Sequence, residues 1–207
     1  MGETQSRNLL RLFAAIELTE EARRAAVAHA SRLRTMLPQG VKASWEREEK
    51  LHLTMKFFGN VAPERVGELS EALARAAAAL QPFRLRLQET GVFPTPSRPS
   101  VLWLGLSDPS GELARLHARL EEECAALNFP REQKIFRPHV TLARIRTATQ
   151  ETRRLARQHL ELAFDPVSFG VSEVVLMSSR LGPGGSVYAP LSRHTLEGEA
   201  GRMLSRS

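Results

Sequence analysis

Leu51-His52-Leu53-Thr54-Met55 and Pro138-His139-Val140-Thr141-Leu142 are two copies of one pattern, histidine–apolar–threonine–apolar, set 87 positions apart (52 to 139). Each copy reads as part of a strand. Successive strand side chains point to opposite faces, so His52 and Thr54 share one face and leave Leu53 and Met55 to the other. His139 and Thr141 pair in the same way above Val140 and Leu142. Six histidines and eleven threonines in 207 residues give roughly 0.3 chance matches to His-x-Thr. One copy alone reads as a hydrogen-bonded structural histidine. Two matched copies point to a shared site.

Outward from these strands, the chain alternates strands and helices. Leu9–Leu18 reads as a buried strand, and Thr19-Glu20-Glu21 as the N-cap and acidic first turn of a helix running to about Leu37, before Pro38 and Gly40. Val41–Trp45 and Leu51–Phe58 read as strands, the second ended by Gly59-Asn60. Pro63 opens an Ala-rich helix to about Leu80. Phe83, Leu85 and Leu87 alternate with polar residues as in a half-exposed strand. A proline-rich turn from Pro94 to Pro99 leads to the strand Val101–Leu106. A third helix follows Asp108-Pro109-Ser110-Gly111 and carries Leu113, Leu116, Leu120 and Leu127 on its apolar face, with Cys124 as a packed thiol. Val140–Ile145 is a strand and Thr149–Leu162 an arginine-rich helix. Strands at Phe169–Ser178 and Ser186–Leu196 flank the turn Gly182-Pro183-Gly184-Gly185. The order predicts an α+β fold with helices covering antiparallel sheets. No linker divides residues 1–196, which read as one domain, and residues 197–207 form a polar, frayed tail.

Composition narrows the class. A hydrophobic fraction of 42% with 25% charged residues is that of a globular chain, and excludes global disorder. The single cysteine excludes a disulfide scaffold and fits a reducing, cytoplasmic setting. No stretch reaches the roughly 18 apolar residues of a membrane span. Leu9–Ile16 is too short for a span and is broken by Arg11. Met1-Gly2 with Ser6 matches a short myristoylation pattern of a kind that arises by accident. The formal net charge of +6, from 29 Lys and Arg against 23 Asp and Glu, modestly favours a polyanionic partner such as RNA.

The paired histidines suit phosphoester cleavage without a metal. Histidine ionises near pH 6.5, so one ring can be neutral while another is protonated. Two rings flanking one phosphorus can divide the work, one deprotonating a water and the other protonating the departing oxygen. The threonine hydroxyls can donate to non-bridging oxygens as charge builds there. Threonine is a poor zinc ligand, and neither pair has an adjacent carboxylate or cysteine. His29, His117 and His159 lie on predicted helices and read as surface or interface residues; His194 has no such partner. A Gly-x-Ser-x-Gly elbow and a Gly-rich phosphate loop are both missing from the sequence.

From about Arg11 to Leu191 the sequence resembles the 2H phosphoesterases, and within them the RNA 2′,3′-cyclic phosphodiesterases, also called 2′-5′ RNA ligases. The resemblance lies in Arg11–Ile16, in Trp45 through Leu51-His52-Leu53-Thr54-Met55-Lys56-Phe57-Phe58-Gly59, in Arg137–Arg144, and in Val174–Ser179 with Tyr188. It implies a bilobal fold with two pseudo-symmetric lobes, each an antiparallel sheet covered by helices, and an active-site cleft between them. It implies His52 as proton donor to the leaving 3′ oxygen and His139 as proton acceptor from water. Thr54, Thr141 and Arg144 would hold the phosphate of a 2′,3′-cyclic RNA end or nucleotide, and a 2′-phosphomonoester would be released. No cofactor and no membrane are implied, and a monomer is expected. Strict alternation puts Arg144 on the face opposite His139, so its contact requires a bulge or the strand end. Lys56 falls on the face of His52, where it can meet backbone phosphates. Phe13 and Tyr188 are placed for core packing, with base stacking as the alternative. Ligation of RNA halves, with a ribose hydroxyl attacking the cyclic phosphate, is the alternative within the enzyme class. A non-catalytic RNA-binding module is the other reading, and the retention of both His-Thr pairs weighs against it.

Overall fold

The computed structural model describes residues 9–182 and 185–198. Its elements follow in the order β1 (Leu10–Glu17), α1 (Glu20–Thr35), β2 (Ala43–Trp45), β3 (His52–Val61), α2 (Val66–Ala78), β4 (Phe83–Thr95), β5 (Arg98–Ser107), α3 (Glu112–Ala126), β6 (His139–Ile145), α4 (Gln150–Glu161), β7 (Val167–Val171), β8 (Glu173–Gly182) and β9 (Gly185–Thr195). The helix starts obey local chemistry. Thr19 Oγ1 accepts from the Ala22 amide at the head of α1. At the head of α4 the Thr149 and Thr152 side chains each accept from the other's backbone amide, at 3.2 and 2.7 Å.

The strands form one curled antiparallel sheet in the order β7-β4-β5-β6-β3-β1-β8-β9, with β2 added to β6. Its two halves meet where Leu53 of β3 pairs with Val140 of β6. Both residues are fully buried and belong to the main apolar core, together with Leu12, Ile16, Leu69, Leu73, Leu104 and Leu116. A second cluster joins Leu33 of α1 and Leu155 of α4 to Leu102, Ala143 and Ile145. All four helices therefore bury their apolar stripes against one face of the sheet. The opposite face is left open at the centre, and it carries both histidines. A small third cluster on that face joins Phe13, Ala15, Val175 and Met177 to Tyr188.

The strands run longer than their sequence pattern implies. The Pro94–Pro99 segment is no loose turn: β4 and β5 pair through it, with Pro94 opposite Pro99 and a cis Phe93–Pro94 peptide. Strand β3 continues past Gly59, which takes a φ of 73° that glycine tolerates. The predicted strand Phe169–Ser178 is two strands broken at Ser172, because β7 pairs with β4 while β8 pairs with β1. Gly182 and Gly185 pair across the predicted glycine-rich turn; Pro183 and Gly184 lie outside the described residues. The chain is still held just past residue 196, where the Gly198 amide donates to the Leu80 carbonyl at 2.9 Å. The rest of the predicted tail, and the Met1-Gly2…Ser6 pattern, lie outside the described residues. Among the described residues no helix is long and apolar enough to cross a membrane.

Candidate active site

The Leu53–Val140 pair sets the geometry of the open face. Carrying its antiparallel register one step each way puts His52 across from Thr141 and Thr54 across from His139. All four side chains are half-buried. The structure thus brings the two sequence-distant pairs together at the centre of one sheet.

Both imidazoles are held the same way. Nδ1 of His52 donates to the Lys50 carbonyl at 2.6 Å, and Nδ1 of His139 to the Arg137 carbonyl at 2.7 Å. Each bond reaches the residue two positions upstream, where the chain enters the strand. A carbonyl only accepts, so the proton sits on Nδ1 and the neutral ring presents a basic Nε2. His52 Nε2 lies 3.0 Å from Thr54 Oγ1. The hydroxyl donates to it when the ring is neutral and accepts from it when the ring is protonated.

Aromatic walls flank each ring. Phe13 and Tyr188 stand 5.0 and 5.3 Å from His52, centroid to centroid. Phe93 and Trp103 stand 5.0 and 6.1 Å from His139. This burial is the largest cause lowering both histidines below their ordinary pKa, and the Arg144 cation lowers them further; the carbonyl bonds act in the opposite sense. Phe13 is buried, as core packing requires, yet it also forms a wall of the site together with half-buried Tyr188.

Two bulges decide what else reaches this face. On β3, Thr54 pairs with Ala15 and Lys56 with Ala14, so Met55 is an extra residue. On β6, Thr141 pairs with Trp103 and Ala143 with Leu102, so Leu142 is an extra residue. Each bulge lies three residues after its histidine. The β6 bulge turns Arg144 back to the histidine face, the break in alternation without which it would point away from His139. There its Nε lies 3.6 Å from Glu46 Oε1, and the Glu46 amide donates to the carbonyl of bulged Leu142 at 2.8 Å.

The β3 bulge has the opposite consequence for Lys56. Alternation places Lys56 beside His52, but the structure turns it into the core at 2% exposure. Its ammonium donates to Glu121 Oε1 at 2.7 Å and to the Pro130 carbonyl at 2.9 Å. It is therefore no phosphate contact. It ties β3 to α3 and to the loop leading into His139. The side chain that takes its place on the open face is Phe57, 54% exposed and 6.0 Å from Phe13.

Sequence patterning missed Phe57, Phe93, Trp103 and Glu46 as neighbours of the site. None of the four carries a pattern of its own in the sequence. Of the remaining histidines, His29, His117 and His159 read from the sequence as surface or interface residues, and each packs against a neighbouring ring. His117 stacks on Phe136 at 4.0 Å. His194 Nε2 lies 2.9 Å from Ser192 Oγ. His29 and His159 are buried against each other. Cys124 is a packed thiol, pushed up to about 11 chiefly by burial.

An antiparallel sheet that presents two imidazoles tethered through Nδ1, two hydroxyls and a guanidinium on one open face can support acid–base phosphoester chemistry. A model of the 2′-5′ RNA ligase superfamily matches residues 20–183. An RNA 2′,3′-cyclic phosphodiesterase of Thermus thermophilus is 33% identical over 204 residues, covering 93% of each chain. Among solved structures, TT0787 of Thermus thermophilus superposes with a TM-score of 0.73 at 30% identity, covering 91% of this chain and 99% of that one. E. coli LigT complexed with 3′-AMP gives 0.69 at 28% identity, with 91% and 99% covered. The chain belongs to the 2′-5′ RNA ligase superfamily of 2H phosphoesterases.

Proposed function

We propose that this protein hydrolyses the 2′,3′-cyclic phosphate at an RNA or nucleotide end, without a metal, to a 2′-phosphomonoester. The observation that carries the reading is the matched tethering of His52 and His139: each Nδ1 is bound to the carbonyl two residues upstream, which leaves each Nε2 for proton transfer, that of His52 beside the Thr54 hydroxyl. His139 Nε2 takes a proton from water as its oxygen attacks phosphorus. The bond from phosphorus to the 3′ oxygen breaks, and His52 Nε2–H, protonated beforehand, supplies the proton to that oxygen. Thr54, Thr141 and Arg144 hold the non-bridging oxygens, where negative charge builds. The relatives named RNA 2′,3′-cyclic phosphodiesterase and the 3′-AMP complex of LigT support a nucleotide substrate. The equal placing of the two bulges, each three residues past its histidine on one of two abutting sheet halves, supports the reading of two pseudo-symmetric lobes around a cleft. The single cysteine suits work in the cytoplasm.

Ligation, in which a ribose 5′-hydroxyl replaces water as the nucleophile on the cyclic phosphate and joins RNA ends 2′-5′, uses the same groups in the same places. The deciding experiment incubates the protein and an oligonucleotide ending in a 2′,3′-cyclic phosphate with excess EDTA, with and without a 5′-hydroxyl acceptor, and identifies the products. A 2′-phosphate end is expected. Activity lost to EDTA and restored by zinc or manganese would remove the metal-free mechanism. Absence of any turnover would leave a binding module.

A further inference from the structure

His29 of α1 and His159 of α4 are 2% and 0% exposed, deep under the half of the sheet that carries His139. His159 Nε2 lies 3.1 Å from the Trp103 carbonyl and 3.2 Å from the Gly91 carbonyl. Both are acceptors, so this nitrogen carries the proton and shares it between them. Nδ1 of His159 is then an acceptor. His29 Nε2, at 3.1 Å, must donate to it. One arrangement of protons serves all three contacts, running from α1 through α4 to two adjacent strands, and leaves the buried His29 Nδ1 with no partner among the described residues.

The two carbonyls at its end belong to a single rung of the sheet, since Gly91 of β4 pairs with Trp103 of β5. That rung builds the wall of the candidate site. The Trp103 indole lies across Gly91 so closely that a Cβ there would fall 2.0 Å from the ring. The other side of the rung faces His139, with Trp103 and its tilted neighbour Phe93 around the imidazole. Trp103 also pairs with Thr141 in the ladder. Packing alone would leave this rung free to slide on the helices behind it, because apolar contact has no direction. A shared hydrogen bond to both carbonyls has one.

We propose that His29 and His159 are a buried positioning dyad that fixes the Gly91–Trp103 rung, and with it the aromatic wall that sets the orientation and ionisation of His139. The role rests on the reading of His139 as the general base. The dyad touches no substrate and acts through Trp103. It works while both rings are neutral. Burial first, then His159 and the Arg32 cation on α1, lower His29 to about 4, and burial lowers His159 as well. His139 itself faces Arg144 from its own strand and His52 from β3.

The test uses full-length protein carrying Trp45→Phe, so that Trp103 is the one indole, with His159→Leu, His159→Gln and His29→Leu added singly. Folding is checked by circular dichroism. The His139 pKa is read from its ring-proton NMR shift, and kcat and KM are measured on a 2′,3′-cyclic nucleotide. In His159→Leu the wall loosens and water reaches the ring. The His139 pKa then rises toward its ordinary value, kcat falls about tenfold to a hundredfold, and Trp103 emission shifts to the red. In His159→Gln an amide N–H again reaches the carbonyls and restores most of each signal. If His159→Leu does not fold, His29→Leu decides, with a rise of the His139 pKa expected. A folded leucine variant whose His139 titration and kcat match the parent overturns the dyad. Should the parent show no turnover, the activity reading fails on its own while the NMR titration still decides the dyad.

Discussion

A histidine whose Nδ1 is fixed on a carbonyl can turn neither its tautomer nor its ring without breaking that bond, so its Nε2 is preset for proton transfer. His52 and His139 share this feature. His52→Ala and His139→Ala are each expected to lower kcat/KM by about 10²–10⁴-fold with an unchanged circular dichroism spectrum. A loss below tenfold in either would make that histidine structural. Lys56 tests the opposite assignment. Its ammonium is buried on Glu121, and removing one member of such a pair strands the other charge. Lys56→Ala should therefore cost about 3–5 kcal/mol in urea denaturation, while Lys56→Met combined with Glu121→Leu should recover most of it. A small stability loss with a tenfold rise in KM would return Lys56 to the phosphate.

At the scale of elements, period-2 and period-3.6 patterns were enough to place the strands and helices, since each pattern reports a face buried against one core. Both His-Thr pairs were legible for the same reason: alternation holds over the three residues from His52 to Thr54 and from His139 to Thr141. Two residues further on it fails. Met55 and Leu142 are ordinary apolar residues, and nothing in their chemistry announces a bulge, because a bulge is set by the register of the neighbouring strand. Lys56 and Phe57 therefore exchanged faces relative to the pattern, and Arg144 came round to the site. Likewise, no local signal marks Gly91 as the seat of Trp103, because the two meet only across a ladder. That contact carries its own prediction. Gly91→Ala puts a methyl 2.0 Å from the indole, which must move. Overpacking of this kind costs about 1–3 kcal/mol, or roughly 2–4 °C of Tm per kcal/mol at this chain length, measurable by calorimetry. An unchanged Tm would mean that Trp103 is not held as described.

For the molecule as a whole, the six histidines act in one direction. His29, His52, His117, His139, His159 and His194 are all lowered from the ordinary value, in each case chiefly by burial. The unfolded chain, with histidines near 6.5, binds protons that the native state refuses. Stability is therefore full above about pH 6.5 and falls as pH drops toward the folded values, each histidine adding at most about 1.36 kcal/mol per pH unit. Protonation also adds to a net charge of +6, so self-repulsion grows in the same direction. Catalysis pulls the other way. The proposed base His139 must be neutral and the acid His52 protonated, so kcat/KM should trace a bell whose limbs belong to the free enzyme's coupled pair. With both rings lowered, the maximum is expected on the acid side of 6.5, inside the range where the fold is already losing stability. Urea denaturation midpoints and initial rates on a cyclic nucleotide, measured from pH 4.5 to 8, should therefore show the rate peaking below the pH at which stability levels off. A rate maximum above pH 7 with flat stability down to pH 5 would mean that the aromatic walls do not shield the two rings.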